Sequence, residues 1–191
     1  MGGRGGSSGQ TEPFAKFKNA TNTVLSALER YEAGNEDWQT ATWGLLQHNT
    51  WAVGIMDKET RAAAEKFGLD IANAGEHIQV VDVDIFHANR LAHRKNGMAI
   101  PKEYYLKMPE ILANPKAIYY DKKNKSLLYE FDTRITDPNK GKMSGVFVVK
   151  VGHYKVAGGT KRMHKTLSKV RTALLTPASA LGNENMYVKI K

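Results

Sequence analysis

Cysteine is absent from this 191-residue chain, which excludes disulfide frameworks and thiolate metal sites and leaves a reducing compartment open to it. No stretch approaches the roughly 20 consecutive apolar residues that a bilayer span needs. The opening MGGRGGSSGQ lacks the apolar block of a secretory signal. Internal repeats are missing, as are a Walker A spacing and a glycine-rich nucleotide fingerprint. These absences lead to an expectation of a soluble protein with no membrane partner, acting in the cytoplasm. They also rank a transferase built around a nucleotide cofactor last.

The chain does contain enough apolar side chain, 41% by composition, for a real core in one ordinary domain with or without a helical appendage. Its formal charge of +9 is unevenly placed: residues 1–75 hold 7 Lys or Arg against 9 Asp or Glu, and residues 76–191 hold 21 against 10. The later part therefore carries all the basic excess. Clustered Lys and Arg replace counterions around phosphates and steer association, which makes a nucleic acid the first partner to consider. A lysine-rich surface kept for solubility is the plain alternative.

Residues 1–12 are mostly Gly and Ser and are expected to form a disordered leader. Apolar spacing predicts helices over 14–30, 38–46 and 57–67, the last opened by Asp57 as N-cap and closed by Gly68. Residues 13–75 thus read as a helical, weakly acidic region whose Trp38, Trp43 and Trp51 form a small core or else a partner surface, core being favoured because large apolar rings are costly to leave wet. Residues 76–191 read as an α+β domain, with a loop at 73–75 before it. HIQVVDVD (77–84) has strand composition, and DIFHANRLAHRKNG (84–97) reads as one helix with Asp84 as N-cap, Ile85, Ala88 and Ala92 on its apolar face, and Gly97 as its stop. Pro101, Pro109 and Pro115 punctuate two short helices. The period then changes. AIYYD (117–121), LLYEFD (127–132) and GVFVVKVGHYK (145–155) predict three antiparallel strands, KTLSKVRTALLT (165–176) a strand running into a short helix, and MYVKIK (186–191) the last strand. Helices followed by a sheet argue for an α+β fold: N-terminal helices, then a twisted antiparallel sheet with a helix packed on it.

HANRLAHRKNG (87–97) brings two of the six histidines together with Arg90 and Arg94. His87 and His93 are six apart, which is not the i, i+4 spacing of a helical zinc pair, so no metal is implied. If the helix packs beside the sheet and leaves one sheet face open, Lys150, or His153 with Lys155, could meet Arg171 from the neighbouring segment and a helix histidine. Imidazole moves protons near neutral pH, and fixed cations stabilise charge developing on phosphorus, so such a set can drive attack of an RNA 2′-hydroxyl on its own phosphate without metal or cofactor. The loop GGTKRMHK (158–165), with Lys161, Arg162 and Lys165, can cradle a phosphate or simply be a basic loop. Each residue has a bland alternative. His87 can be a core-rim histidine, and His93 between two arginines part of a solvated basic face. Arg171, in a mostly apolar run, needs an anion, either a structural carboxylate or a substrate phosphate.

The succession HIQVVDVDIFHANRLAHRK, MPEILANPKAIYYD, LLYEFD, VVKV and VRTA resembles the phage-associated nuclease domains of the barnase, EndoU, colicin and RelE-like group, found in phage and prophage proteins and often fused behind Mu-like minor head proteins. The likeness covers about residues 77–176. It implies an α+β fold and metal-independent ribonuclease activity in a toxin or effector, in the host bacterial cytoplasm or the virion, with an immunity or other phage or host protein as a further partner. Carried over by position, His87 or His93 would be the general base or acid. Lys150 and Arg171 would bind the scissile phosphate, and Thr172 would donate a hydrogen bond to it. Members of the group vary in catalytic residues, and some have lost activity. This chain lacks a head-protein portion, so a non-catalytic protein that binds nucleic acid or a host factor is the competing expectation.

Overall fold

A computed structural model describes the backbone of residues 14–32, 34, 49–89, 91–156 and 164–191, and their side chains except those at 91, 92, 153–156, 164 and 165. The architecture is α+β. In chain order the elements are α1 (Ala15–Glu32), β1 (Thr50–Ile55), α2 (Lys58–Lys66), α3 (Ile71–Ala74), β2 (His77–Val81), α4 (Asp82–Ala88) and α5 (Leu91–Lys95). They continue with α6 (Glu103–Leu106), α7 (Met108–Ala113), β3 (Ala117–Asp121), β4 (Ser126–Asp137), β5 (Gly141–Val156), β6 (His164–Pro177), a 3₁₀ turn (Ala178–Gly182) and β7 (Tyr187–Lys189). The strands form one sheet in the order β1-β2-β6-β5-β4-β3-β7, antiparallel throughout except for the parallel pair β2 and β6. Among the described residues no helix is long and apolar enough to cross a membrane.

Helical spacing on α1 places Phe17, Val24, Leu25 and Leu28 on one buried stripe. Alternation on β5 and β6 sends Phe147, Val149, Val170 and Ala173 to the same sheet face, and these meet α1, Ile85 of α4, Tyr105 and Met108 in the main core. Phe131 stacks against Phe147 with ring centroids 5.0 Å apart. The ring lies so close over Gly145 that a Cβ there would come within 2.2 Å of it. The opposite sheet face carries a smaller cluster, Leu128, Val146 and Leu181 with Tyr119, Val148, Leu174 and Tyr187 packed on it. Among the described residues the short 3₁₀ turn covers part of that face, against β5 and β6, and the rest carries an open cavity.

Several expectations change. TWAVGI is an edge strand paired with β2, not part of a helical third. Its Trp51 packs edge-on to Phe17 at 6.4 Å. A helical turn over Ile71–Ala74 takes in the first two residues of the loop expected at 73–75, and is capped by Asp70 accepting from the Asn73 N–H at 3.3 Å. The strand at 77 ends at Val81 and the helix starts at Asp82. Asp84 lies inside that first turn and caps nothing; it is 5% exposed and faces β6. The helix then breaks at Asn89, whose buried amide donates to the Ile85 carbonyl at 2.9 Å, and resumes at Leu91. The boundary at 75/76 is not a break in packing, because β1 and α1 share the sheet and core of the later residues. The leader over 1–12, the helix over 38–46, and Trp38 and Trp43 lie outside the described residues.

Candidate nucleic-acid interface

The open sheet face holds a cavity of about 600 Å³, within the range of about 300–1,000 Å³ typical of small-ligand sites. Leu128, Val146, Val148, Leu174 and Leu181 form its apolar wall, with Tyr187 at one side. Lys140, Lys150, Arg171, Thr172 and Asn124 bring polar and cationic groups to it.

Strand register explains how these residues meet. Lys150 of β5 stands opposite Lys169 of β6, and Val148 stands opposite Thr172. Val149 pairs with Val170, which leaves Arg171 as an extra residue in a β-bulge. Consecutive residues on a regular strand face opposite ways, whereas here Arg171 and Thr172 both line the cavity. The bulge therefore delivers two hydrogen-bonding side chains to one spot. Thr172 Oγ1 is buried and has no hydrogen-bond partner among the described residues.

The cations are held by identifiable partners. β2 pairs with β6 only as far as Val80 and Val170; beyond that point α4, which follows β2 directly, packs against β6. Asp84 on α4 accepts from Arg171 Nη1 at 2.9 Å and pairs with Lys169 Nζ at 2.7 Å. Asp84 and Lys169 are 6% and 8% exposed at their side chains, whereas Arg171 is 51% exposed. One carboxylate thus pairs with two cations and leaves one positive charge in excess, and the guanidinium keeps donors for a second anion. On the far rim Lys150 donates to the Asn124 carbonyl in the β3–β4 turn. Asp121 organises that turn, accepting from the Lys123 and Asn124 N–H groups at 3.0 and 2.9 Å and from the Asn124 amide at 2.8 Å. Burial, and then the Asp121 carboxylate, push the Tyr187 phenol up, so it stays protonated and can donate.

The expected site residues are thus divided. Lys150, Arg171 and Thr172 come together in the cavity. His87 is exposed at the end of α4, His93 is half-buried on α5, and their rings lie edge to face with centroids 6.2 Å apart. Neither lines the cavity, although His87 sits one helical turn from Asp84, the partner of Arg171. Arg94 faces elsewhere: its guanidinium pairs with Glu32 of α1, and its Nε donates to the Asn89 carbonyl at 2.9 Å. Arg90, Lys161 and Arg162 lie outside the described residues, as do the side chains of His153, Lys155 and Lys165. Sequence reading missed Lys140, Asn124, Tyr187 and the Asp84–Lys169 pair. Lys169 was within reach, because it stands two residues from Arg171 and shares its face if TLSKVRTALLT is read as strand.

No family model matches the chain, and neither a curated protein nor a solved structure does, so the activity is inferred from the residues themselves.

Proposed function

We propose that the chain is a phage- or prophage-type ribonuclease that seats an RNA phosphate in the open-face cavity and cleaves it without metal. The observation that carries this reading is the convergence of Lys150, Arg171 and Thr172 from adjacent strands beside an apolar wall. That combination suits a nucleotide: cations and a hydroxyl donor for the phosphate, apolar surface for a base. In the step proposed, the 2′-oxygen bonds to phosphorus as the P–O5′ bond breaks. The 2′-hydroxyl proton passes to a base and a proton returns to O5′. Lys150 and Arg171 stabilise the charge growing on the non-bridging oxygens, and His87 and His93 are the proton-transfer residues to test. The phage setting rests on the block resemblance alone.

A second reading, a nucleic-acid-binding protein without catalysis, is favoured by one observation: neither helix histidine lines the cavity. One experiment separates the two. Purified protein incubated with total RNA in EDTA should yield fragments with 2′,3′-cyclic phosphate ends, and Arg171→Ala or Lys150→Ala should slow this by about a hundredfold. Uncut RNA that the protein retains and the two variants release would select the binding reading. Intact RNA with no retention would remove both.

A further inference from the structure

A second cavity, about 580 Å³, adjoins the first and shares Gly97, Met143 and Leu175 with it. The divide between them is the short segment at Gly97 and Met98. It is pinned to the sheet where the Leu175 N–H donates to the Met98 carbonyl at 2.7 Å, and Gly97 takes a positive φ of 64° there. Met98 is 39% exposed on this divide. An exposed apolar side chain between two hollows that each carry cations can support a base as a strand passes over it.

The second cavity contains Arg94 and Lys102. Both are already engaged by the C-terminal end of α1: Glu32 pairs with Arg94 and lies 3.5 Å from Lys102, and Glu29 lies 3.4 Å from Lys102. The other carboxylate there, Asp137, accepts from the Asn139 and Lys140 N–H groups at 2.8 and 3.0 Å and is thereby committed to its turn. Among the described residues the carboxylates on these two cations are Glu32, shared by both, and Glu29 on Lys102 alone, so an anion that bridges Arg94 and Lys102 has to displace Glu32. All three groups of the pairing are within reach of solvent, with side-chain exposures of 22% for Glu32, 26% for Arg94 and 27% for Lys102.

Building on the reading of the first cavity as a phosphate seat, we infer that the substrate is a single strand long enough to cross Met98, with Arg94 and Lys102 as its second phosphate site and Glu32 as the carboxylate that competes for it. A dinucleotide fits the first cavity alone; a longer strand reaches both and must expel Glu32.

The test uses the full chain and two fluorescein-labelled 2′-O-methyl RNAs, a dinucleotide and an octanucleotide, which cannot be cut. The octanucleotide should bind more tightly. Glu32→Gln should tighten it a further fivefold or so, the scale of one half-exposed ion pair, and leave the dinucleotide unchanged. Lys102→Gln, checked by thermal melting to be folded, should weaken the octanucleotide alone. Binding of both lengths with no response to Glu32→Gln or Lys102→Gln would overturn the second site and leave the first intact. Failure of both RNAs to bind would remove the first reading and this one together.

Discussion

Asp84 is the residue on which the candidate site depends most, because it holds two cations from a strand that lies 85 or more positions later in the chain. Lys169 is the vulnerable member. Its ammonium is buried, and removing its only ionic partner among the described residues leaves a charge in a low-dielectric setting. Asp84→Ala is expected to destabilise the fold by about 3–5 kcal/mol, the usual cost of breaking a buried pair, measured as a shift in the urea midpoint. A loss below about 1 kcal/mol would mean that Lys169 swings to water and that the pair is not structural. The sequence announced half of this arrangement. Arg171 in an apolar run demanded an anion, but Asp84 next to a helix start looked like a local cap. A short-range pattern, aspartate before a helical run, was satisfied by a long-range partner instead, which periodicity cannot register.

At the scale of elements, local rules succeeded where local chemistry decides the outcome. Asp57 caps α2 as its position predicted, accepting from the Thr60 N–H at 2.7 Å, and Gly68 follows with a φ of 76°. Asp57 also takes a bond from Lys191 at 3.0 Å, joining the helix start to the last residue of the chain. Burial pushes the Asp57 carboxyl up, but hydrogen bonds from Thr60 and Lys191 outweigh it and hold its pKa below the ordinary 3.8. A carboxyl lowered on folding contributes stability that is fully present above its unfolded pKa and is lost as pH falls through the folded one. Asp57→Ala should therefore cost about 1 kcal/mol at neutral pH. Asp57→Asn, which keeps a capping oxygen, should cost less, and its deficit against the parent should diminish in acid, at pH below the ordinary 3.8. Paired denaturation curves at the two pH values test both statements, and a deficit that persists in acid would exclude the charged pairing as its source. Elsewhere sequence reading faltered. TWAVGI, whose large residues Trp51, Val53 and Ile55 alternate with small ones, falls in a region read as helical although it pairs as a strand with β2, and the bulge at Arg171 exists only in the register between β5 and β6.

For the whole molecule, the uneven charge along the chain raises the question whether the acidic N-terminal region masks the basic later one. The contacts are more local and run both ways: Lys18 of α1 pairs with Glu110 at 3.1 Å, while Glu29 and Glu32 meet Lys102 and Arg94. The N-terminal elements are also more than a cover. Phe17 and Leu28 of α1, Val53 of β1 and Met56 beside it are each at most 1% exposed and belong to the main core. Burying side chains of this kind contributes about 1.5–3 kcal/mol each, so these four together approach the whole net stability of a domain, about 5–15 kcal/mol. Residues 76–191 alone would also expose the flank of β2 that β1 now pairs. The expected outcome for a protein beginning at residue 76 is loss of the cooperative thermal transition and of near-ultraviolet circular dichroism, with association through the bared strand. A fragment that melts cooperatively as a monomer would show instead that the sheet from β2 onward is self-sufficient, and α1 would then be reduced to the carboxylates it places on Arg94 and Lys102.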